Sequence, residues 1–219
     1  MIKVLVFDFD GIILESSEIK TIAFKKMFEY ETEDVQKIMY EYHLSNMGFS
    51  RQKKFTYYFE EIKKQSIPDG KIDKMSEHFR SLVLDEVLKA EFVPGMPEFL
   101  ETMHEKYPLY IATGTPNDEI ATITKARGVS KYFKGIYGTP DTKEDIINSV
   151  ITLNGYDHKE VVFFGDAESD RISALRTGVH FIGRTAHGSE MMGDTQYKID
   201  NFTDIVEIEK IIGKLELGA

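Results

Sequence analysis

The stretch Ile2-Lys3-Val4-Leu5-Val6-Phe7-Asp8-Phe9-Asp10-Gly11 decides the fold. Val4 to Phe7 is an unbroken apolar run, rich in β-branched residues and too short for an ordinary helix. It reads as a strand buried on both faces, the kind found in the middle of a parallel sheet. The run stops at two carboxylates one residue apart and then a glycine. Residues two apart in an extended segment point to the same side, so Asp8 and Asp10 can address one site. Gly11 permits the sharp turn that must follow. Open α/β sheets bind ligands at the carboxyl ends of their strands, which is where these side chains stand.

Outward from that strand, the chain first turns helical. Ile12 to Ser16 reads as a short extended piece leading to a helix capped by Ser16 or Ser17, with Ile19, Ile22, Ala23, Met27 and Tyr30 at helical spacing. Further stripes at Phe55, Tyr58, Phe59 and Ile62, and at Phe79, Leu82, Val83 and Val87, carry helical character to Ala90. Ser50 is a cap candidate, and Pro68-Asp69-Gly70 is a turn. After Phe92-Val93-Pro94-Gly95 the pattern changes to strands alternating with helices. The strands are Leu109–Thr113, the weak Gly135–Gly138, Val161–Phe164, His180–Ile182 and an edge piece at Tyr197–Ile199, and Lys143 falls in a loop. Alternation of this kind predicts an α/β fold with a Rossmann-like parallel sheet. The helical stretch interrupts it as an insertion. Residues 1–14 and 91–219 are expected to form the α/β core, and 15–90 an all-helical cap domain.

Composition narrows the function. The formal net charge is −10, so neither nucleic acid nor an anionic membrane is attracted by the overall field. A phosphorylated small molecule remains compatible, because a local cation can reverse the sign inside a pocket. There is no cysteine, which removes disulfides and thiolate metal sites. The N-terminal apolar run is interrupted by Asp8 and Asp10 and does not resemble a signal peptide, and no stretch is long enough to cross a bilayer. A soluble, cytoplasmic protein, monomeric or weakly dimeric, is expected.

If the strands are parallel neighbours, Asp8, Asp10, Thr113, Lys143, Asp166 and Asp170 converge at one sheet edge. Like charges about 4 Å apart repel by roughly 4 kcal/mol at an effective dielectric near 20. A cluster of Asp8, Asp10 and Asp166 therefore needs a cation or a protonated member. All-oxygen ligands favour a hard ion, and Mg²⁺ commonly sits between carboxylates and a substrate phosphate. Thr113 supplies a hydroxyl donor and Lys143 a fixed positive charge, the groups that neutralise a transferring phosphoryl.

Asp8-Phe9-Asp10-Gly11, Thr113-Gly114, Lys143 and Gly165-Asp166-Ala167-Glu168-Ser169-Asp170, in this order on these elements, resemble the haloacid dehalogenase superfamily, in its phosphatase branch with a helical cap. The resemblance implies a Mg²⁺-dependent phosphomonoesterase for a small phosphorylated metabolite. Asp8 is the implied nucleophile, forming an aspartyl-phosphate, and Asp10 the implied general acid and then base. Thr113 and Lys143 hold the phosphoryl oxygens, with Gly11 and Gly114 beside the substrate. Mg²⁺ falls to Asp8, the Asp10 carbonyl and Asp166, with Asp170 a direct or outer ligand. Asp170 also suits the helix dipole as a first-turn acid.

Gly48-Phe49-Ser50-Arg51 resembles the Gly-x-Ser-Arg stretch of β-phosphoglucomutase-like members and makes Arg51 the candidate for a distal anionic group of the substrate. Lys20 stands where those mutases carry histidine, and is either a substrate contact or, in a phosphonatase-like reading, an amine nucleophile. Glu15 replaces a typical aspartate. Arg51 and Lys20 also fit ordinary solvated helix faces, and the histidines show no ligand spacing. A phosphosugar mutase and a receiver-like phosphoaspartate signalling module are the alternative functions.

Overall fold

The computed structural model describes residues 1–185 and 193–216. Residues 186–192 and 217–219, both within the expected α/β core segment 91–219, lie outside the described residues. β1 (Val4–Phe7) is followed by α1 (Ser17–Met27), α2 (Glu33–Ser45), α3 (Arg51–Tyr57) and α4 (Lys71–Lys89). α5 (Met96–Met103) then leads into β2 (Leu109–Pro116), α6 (Asn117–Ala126), β3 (Phe133–Thr139) and α7 (Lys143–Asn154). β4 (Val161–Gly165), α8 (Glu168–Thr177), β5 (His180–Arg184), β6 (Lys198–Ile199) and α9 (Ile205–Glu216) complete the order.

The six strands form one parallel sheet in the order β3-β2-β1-β4-β5-β6. β1 is central, and every residue in it is buried, as its apolar run requires. Alternate side chains feed two layers. Leu5 and Phe7 join Ile111, Phe164, Phe99 of α5 and Ile212 of α9 on one face, where Phe7 stacks on Phe164 with centroids 4.9 Å apart. Val4 and Val6 join Phe163, Ala112, Ile147 and Val150 of α7 and Ala174 of α8 on the other.

The chain runs from β1 to β2 and β3 on one side, then returns to place β4 on the other side of β1. The crevice between β1 and β4 is thus the point where strand order reverses, the usual ligand position in open α/β sheets. Asp8 extends the pairing there, its N–H donating to the Phe164 carbonyl at 2.8 Å.

Among the described residues between β1 and β2 the regular structure is helical, apart from single bridges at Asp10, Leu14 and Phe92. Phe24 of α1, Phe28 at its C-terminal cap, Met39 of α2, Phe55 of α3 and Phe79 and Val83 of α4 belong to the same buried cluster as the sheet's apolar face, together with Ile13 and Leu14. Ser50 caps α3 by accepting from the Lys53 N–H, as expected from the sequence.

Three local expectations need correction. Ile12 to Leu14 is a tight turn rather than an extended piece, because the Phe9 carbonyl accepts the Ile13 N–H at 2.8 Å and Gly11 adopts φ +75°. Lys143 is the first residue of α7 rather than a loop residue, since Thr142 and Asp145 form a reciprocal capping box that starts the helix there. β2 runs past Thr113 to Pro116, which brings Thr115 to the sheet edge as well.

Candidate active site

Asp8 leaves β1 into a buried position and meets charge from both neighbours. Lys143 Nζ lies 3.0 Å from Asp8 Oδ2 and also pairs with Asp170 Oδ1. Asp8, Asp166 and Asp170 each place a carboxylate oxygen within 4.8 Å of the others. Burial pushes the Asp8 carboxyl up to about 7; Lys143 opposes this, while Asp170 and Asp10 add to it. Asp166 is driven well above the usual carboxylate range by burial and then by the charges of Asp8 and Asp170. Lys143 is held above its ordinary value because the two carboxylates outweigh its burial. Three carboxylates against one ammonium leave a negative excess, and Asp8 Oδ1 is buried with no hydrogen-bond partner among the described residues. The donor set fits a hard divalent cation: three carboxylates, oxygen only, too close to ionise together unaided.

The backbone around this cluster is fitted to it. A Cβ at Gly11 would collide with the Asp166 carboxylate, and one at Gly165 with Asp170. The Gly11 carbonyl accepts from Arg184 at 2.8 Å, and Arg184 forks onto Glu15 at 2.6 and 3.0 Å. Glu15 thus braces the turn after Asp10 rather than the substrate space. Asp170 serves twice, since its Oδ2 also accepts the Ala167 N–H at 3.2 Å and closes the start of α8. Asp170 thus belongs to the acidic cluster and also accepts the hydrogen bond that closes the start of α8.

Asp10 lies in a different environment. Burial raises its carboxyl, but the Lys20 ammonium and hydrogen bonds from Lys20, Ser16 and Thr115 outweigh burial and hold it below the usual carboxylate range. Ser16 donates to Oδ1 at 2.6 Å and Thr115 to Oδ2 at 3.2 Å. The Ser16 hydroxyl is therefore spent on Asp10 and does not cap α1. Lys20 also donates to Thr115 Oγ1 at 2.6 Å, so it is neither solvated nor free.

The cavity above Asp8 is lined by Asp10, Asp166, Thr113 and Gly114 from the sheet edge, and by residues of the helical segment opposite. Thr113 is buried, its hydroxyl accepting the Thr115 N–H at 3.2 Å. Gly114 faces the Gly48 carbonyl so closely that a Cβ would lie 2.8 Å from it. The 48–51 stretch is further fastened by Ser169, whose hydroxyl donates to the Met47 carbonyl at 2.6 Å.

The structure brings Arg51 to this cavity, yet its guanidinium is already paired. It meets Glu119 at 2.7 Å and the Ser76 carbonyl at 3.2 Å, and lies over the Phe79 ring. Sequence reasoning missed Glu119, and it also missed His43 and Lys54. His43 is not an incidental histidine: it stacks on Phe24, and its two ring nitrogens contact Thr21 Oγ1 and Lys54 Nζ, each at 3.0 Å. Burial, then Lys54 and Lys20, push its pKa down to about 3. Burial, with Lys20 and Lys143 adding, pushes Lys54 down to about 7. The spacing of Arg51 and Lys54, three apart on α3, was the available signal for a shared cationic face.

A family model described as haloacid dehalogenase-like hydrolase matches residues 5–184. The chain belongs to this hydrolase family. Part of it is 32% identical, over 95 residues, to a 5'-nucleotidase of Pseudomonas aeruginosa, a match covering 41% of this chain and 43% of that protein. The aligned part thus spans less than half of the curated relative. Among solved structures, the hydrolase is similar to a β-phosphoglucomutase from Clostridium difficile, with a TM-score of 0.78 and 16% identity over 99% of this chain and 98% of the other. A predicted phosphoglycolate phosphatase from Haemophilus somnus gives a TM-score of 0.71 and 17% identity, over 95% and 98% of the two chains. At these identities the structural likeness carries the α/β fold and not the substrate.

Proposed function

We propose that the protein is a Mg²⁺-dependent phosphomonoesterase acting on a small phosphorylated metabolite through an aspartyl-phosphate on Asp8. The observation that carries this reading is Asp8 Oδ1, a buried carboxylate oxygen without a hydrogen-bond partner among the described residues, beside Asp10, Lys143 and two further carboxylates. A carboxylate fixed at one oxygen and open at the other is prepared for attack on an electrophile. The hydrolase family and the 5'-nucleotidase relative support phosphate-ester chemistry.

Mg²⁺ would be held by Asp8, Asp166 and Asp170, with the Asp10 carbonyl as a further candidate, and when bound it supplies charge neutralisation at the phosphoryl oxygens. Asp8 displaces the alcohol from phosphorus, forming one P–O bond as the ester P–O bond breaks. The Thr113 hydroxyl, the Gly114 backbone and Lys143 steady the phosphoryl oxygens. The departing oxygen takes a proton from Asp10. Ionised Asp10 then takes a proton from water, which attacks phosphorus, releases phosphate and restores Asp8.

Asp10 is ionised in the arrangement described above, because Lys20 and two hydroxyls hold it so. That state suits the second step. The first step requires Lys20 to loosen, so Lys20 sets how readily Asp10 carries the proton. The Asp-x-Asp pair itself favours turnover over a signalling module, which stores its phosphate and has no use for an acid at Asp10. The helical segment opposite the sheet edge is the proposed cap, spanning 15–90, and it supplies the substrate-contacting side of the cavity.

Phosphate release from a panel of sugar phosphates, phosphoglycolate and nucleoside monophosphates, with Mg²⁺ and with chelator, tests the proposal. Release that requires the metal and disappears in Asp8→Asn is expected. Absence of release across the panel, or equal release by the variant, contradicts it. Isomerisation of a sugar phosphate without net release points to mutase chemistry instead.

A further inference from the structure

Four cationic side chains surround the space above Asp8, and they are not equivalent. Lys143 is shared by Asp8 and Asp170, Lys20 pairs with Asp10, and Arg51 pairs with Glu119. Lys54 has no carboxylate partner among the described residues. Its ammonium meets a neutral acceptor, His43 Nδ1, and the residue is only 4% exposed on the cavity wall. Taking an ammonium out of water without a counter-charge is strongly unfavourable. With its pKa pushed down to about 7 by burial and by Lys20 and Lys143, Lys54 is charged only in part when the cavity is empty, and an anion arriving beside it would draw it to the ammonium form.

The surroundings of Lys54 are built for that purpose. Because the lysine donates to Nδ1, His43 carries its proton on Nε2 and donates it to Thr21, whose hydroxyl in turn donates to the Ser17 carbonyl at 3.0 Å. This chain anchors the acceptor that points the ammonium. Phe24, Phe49 and Phe79 line the same cavity and lower its polarity, which strengthens any charge pair formed inside. Arg51, the sequence's candidate for the same task, has its charge offset by Glu119 at 2.7 Å, with the two residues 6% and 1% exposed. An incoming anion would have to compete with that carboxylate at Arg51, and meets no such competitor at Lys54.

We propose that Lys54, oriented by His43, seats a second anionic group of the substrate, so that the enzyme selects phosphomonoesters bearing a carboxylate or a second phosphate. The assignment rests on the phosphomonoesterase reading of the site, since the phosphate ester itself is placed on Asp8. Lys54 is a specificity residue, and Arg51 holds the segment to α6 through Glu119.

Two matched pairs test it: phosphoglycolate against 2-hydroxyethyl phosphate, and fructose 1,6-bisphosphate against fructose 6-phosphate. For each, kcat/KM is measured with Mg²⁺ for wild type, Lys54→Met and Lys54→Arg, and Kd is measured by calorimetry in an Asp8→Asn background. The wild type is expected to prefer the more anionic member of at least one pair by about tenfold or more, as loss of a buried charge partner implies. The ratio falls toward one in Lys54→Met and returns largely in Lys54→Arg. Which pair shows the effect separates a carboxylate from a second phosphate. Equal treatment of both members by the wild type, or a preference that survives in Lys54→Met, overturns the assignment. If no substrate is hydrolysed but the Kd preference is present and depends on Lys54, the catalytic reading fails while the anion seat stands.

Discussion

The two walls of the cavity carry opposite charge and are held in opposite ways. On the sheet edge, Asp8, Asp166 and Asp170 share one lysine, and their mutual repulsion is only partly offset. On the helical side, Lys20 and Arg51 are matched to carboxylates, while Lys54 leans on a neutral histidine. One wall is short of a cation and the other has one unspent. The difference teaches how the labour divides: the acidic wall is arranged for a metal and a phosphoryl group, the basic wall for whatever else the substrate carries.

Asp8→Asn should have the largest effect. On the proposed mechanism, losing the nucleophile costs about 10⁴-fold or more in kcat, a size typical of removing a member of a catalytic set. The fold should survive, because the change removes charge from an over-acidic cluster, and circular dichroism checks that.

The acidic wall can next be separated from the basic one by thermal melts. Mg²⁺ at about a hundred times its Kd should stabilise the wild type by about 2.7 kcal/mol, several degrees in Tm. Asp166→Asn should melt higher than wild type without metal, because repulsion is relieved, and should lose most of the Mg²⁺ response. A variant that melts lower without metal and responds as fully as wild type would show that repulsion at this cluster is not what the metal relieves.

Lys20→Met probes the junction of the walls. Lys20 holds Asp10 below the usual carboxylate range, so its removal should raise the Asp10 pKa and, because Asp10 must carry a proton in the first step, move the alkaline limb of the kcat/KM profile to higher pH. An unmoved limb would assign that limb to another group.

The smallest effect concerns His43. Its pKa is about 3 in the fold against 6.5 when free, so below about 6.5 the unfolded chain takes up a proton that the fold refuses. Stability is thus present above that pH and lost as pH falls, by at most about 1.4 kcal/mol per unit down to about 3. His43→Gln should remove this slope, read as the difference between urea unfolding free energies of variant and wild type from pH 6 to pH 4. Asp8 and Asp166, whose pKa values are raised, act with the opposite sign and cancel in that difference.

Much of the acidic wall was legible in the sequence, and the reason is geometric. A parallel sheet forces strand ends to converge, so an apolar run ending in Asp8-Phe9-Asp10 and another ending in Gly165-Asp166 place their carboxylates together once the strands are neighbours. Even the misread start of α7 did no harm, because Lys143 at the first helical position still reaches Asp8. The basic wall was less legible. Lys20 and Arg51 read equally well as solvated helix faces and Lys54 was missed, and the partners Asp10, Glu119 and His43 come from other elements at separations no local pattern encodes. Glu15 shows the same limit, since its role depends on Arg184, 169 residues further along the chain at the end of β5.

The most direct test of the central claim is covalent. Wild-type protein is mixed with Mg²⁺ and the best substrate of the panel, quenched in acid within milliseconds, and mapped by peptide mass. The account predicts one phosphoryl group on the peptide containing Asp8, absent from Asp8→Asn and absent when chelator replaces Mg²⁺. Turnover with no phosphorylated peptide at any quench time, or a phosphoryl group on another residue, would contradict it.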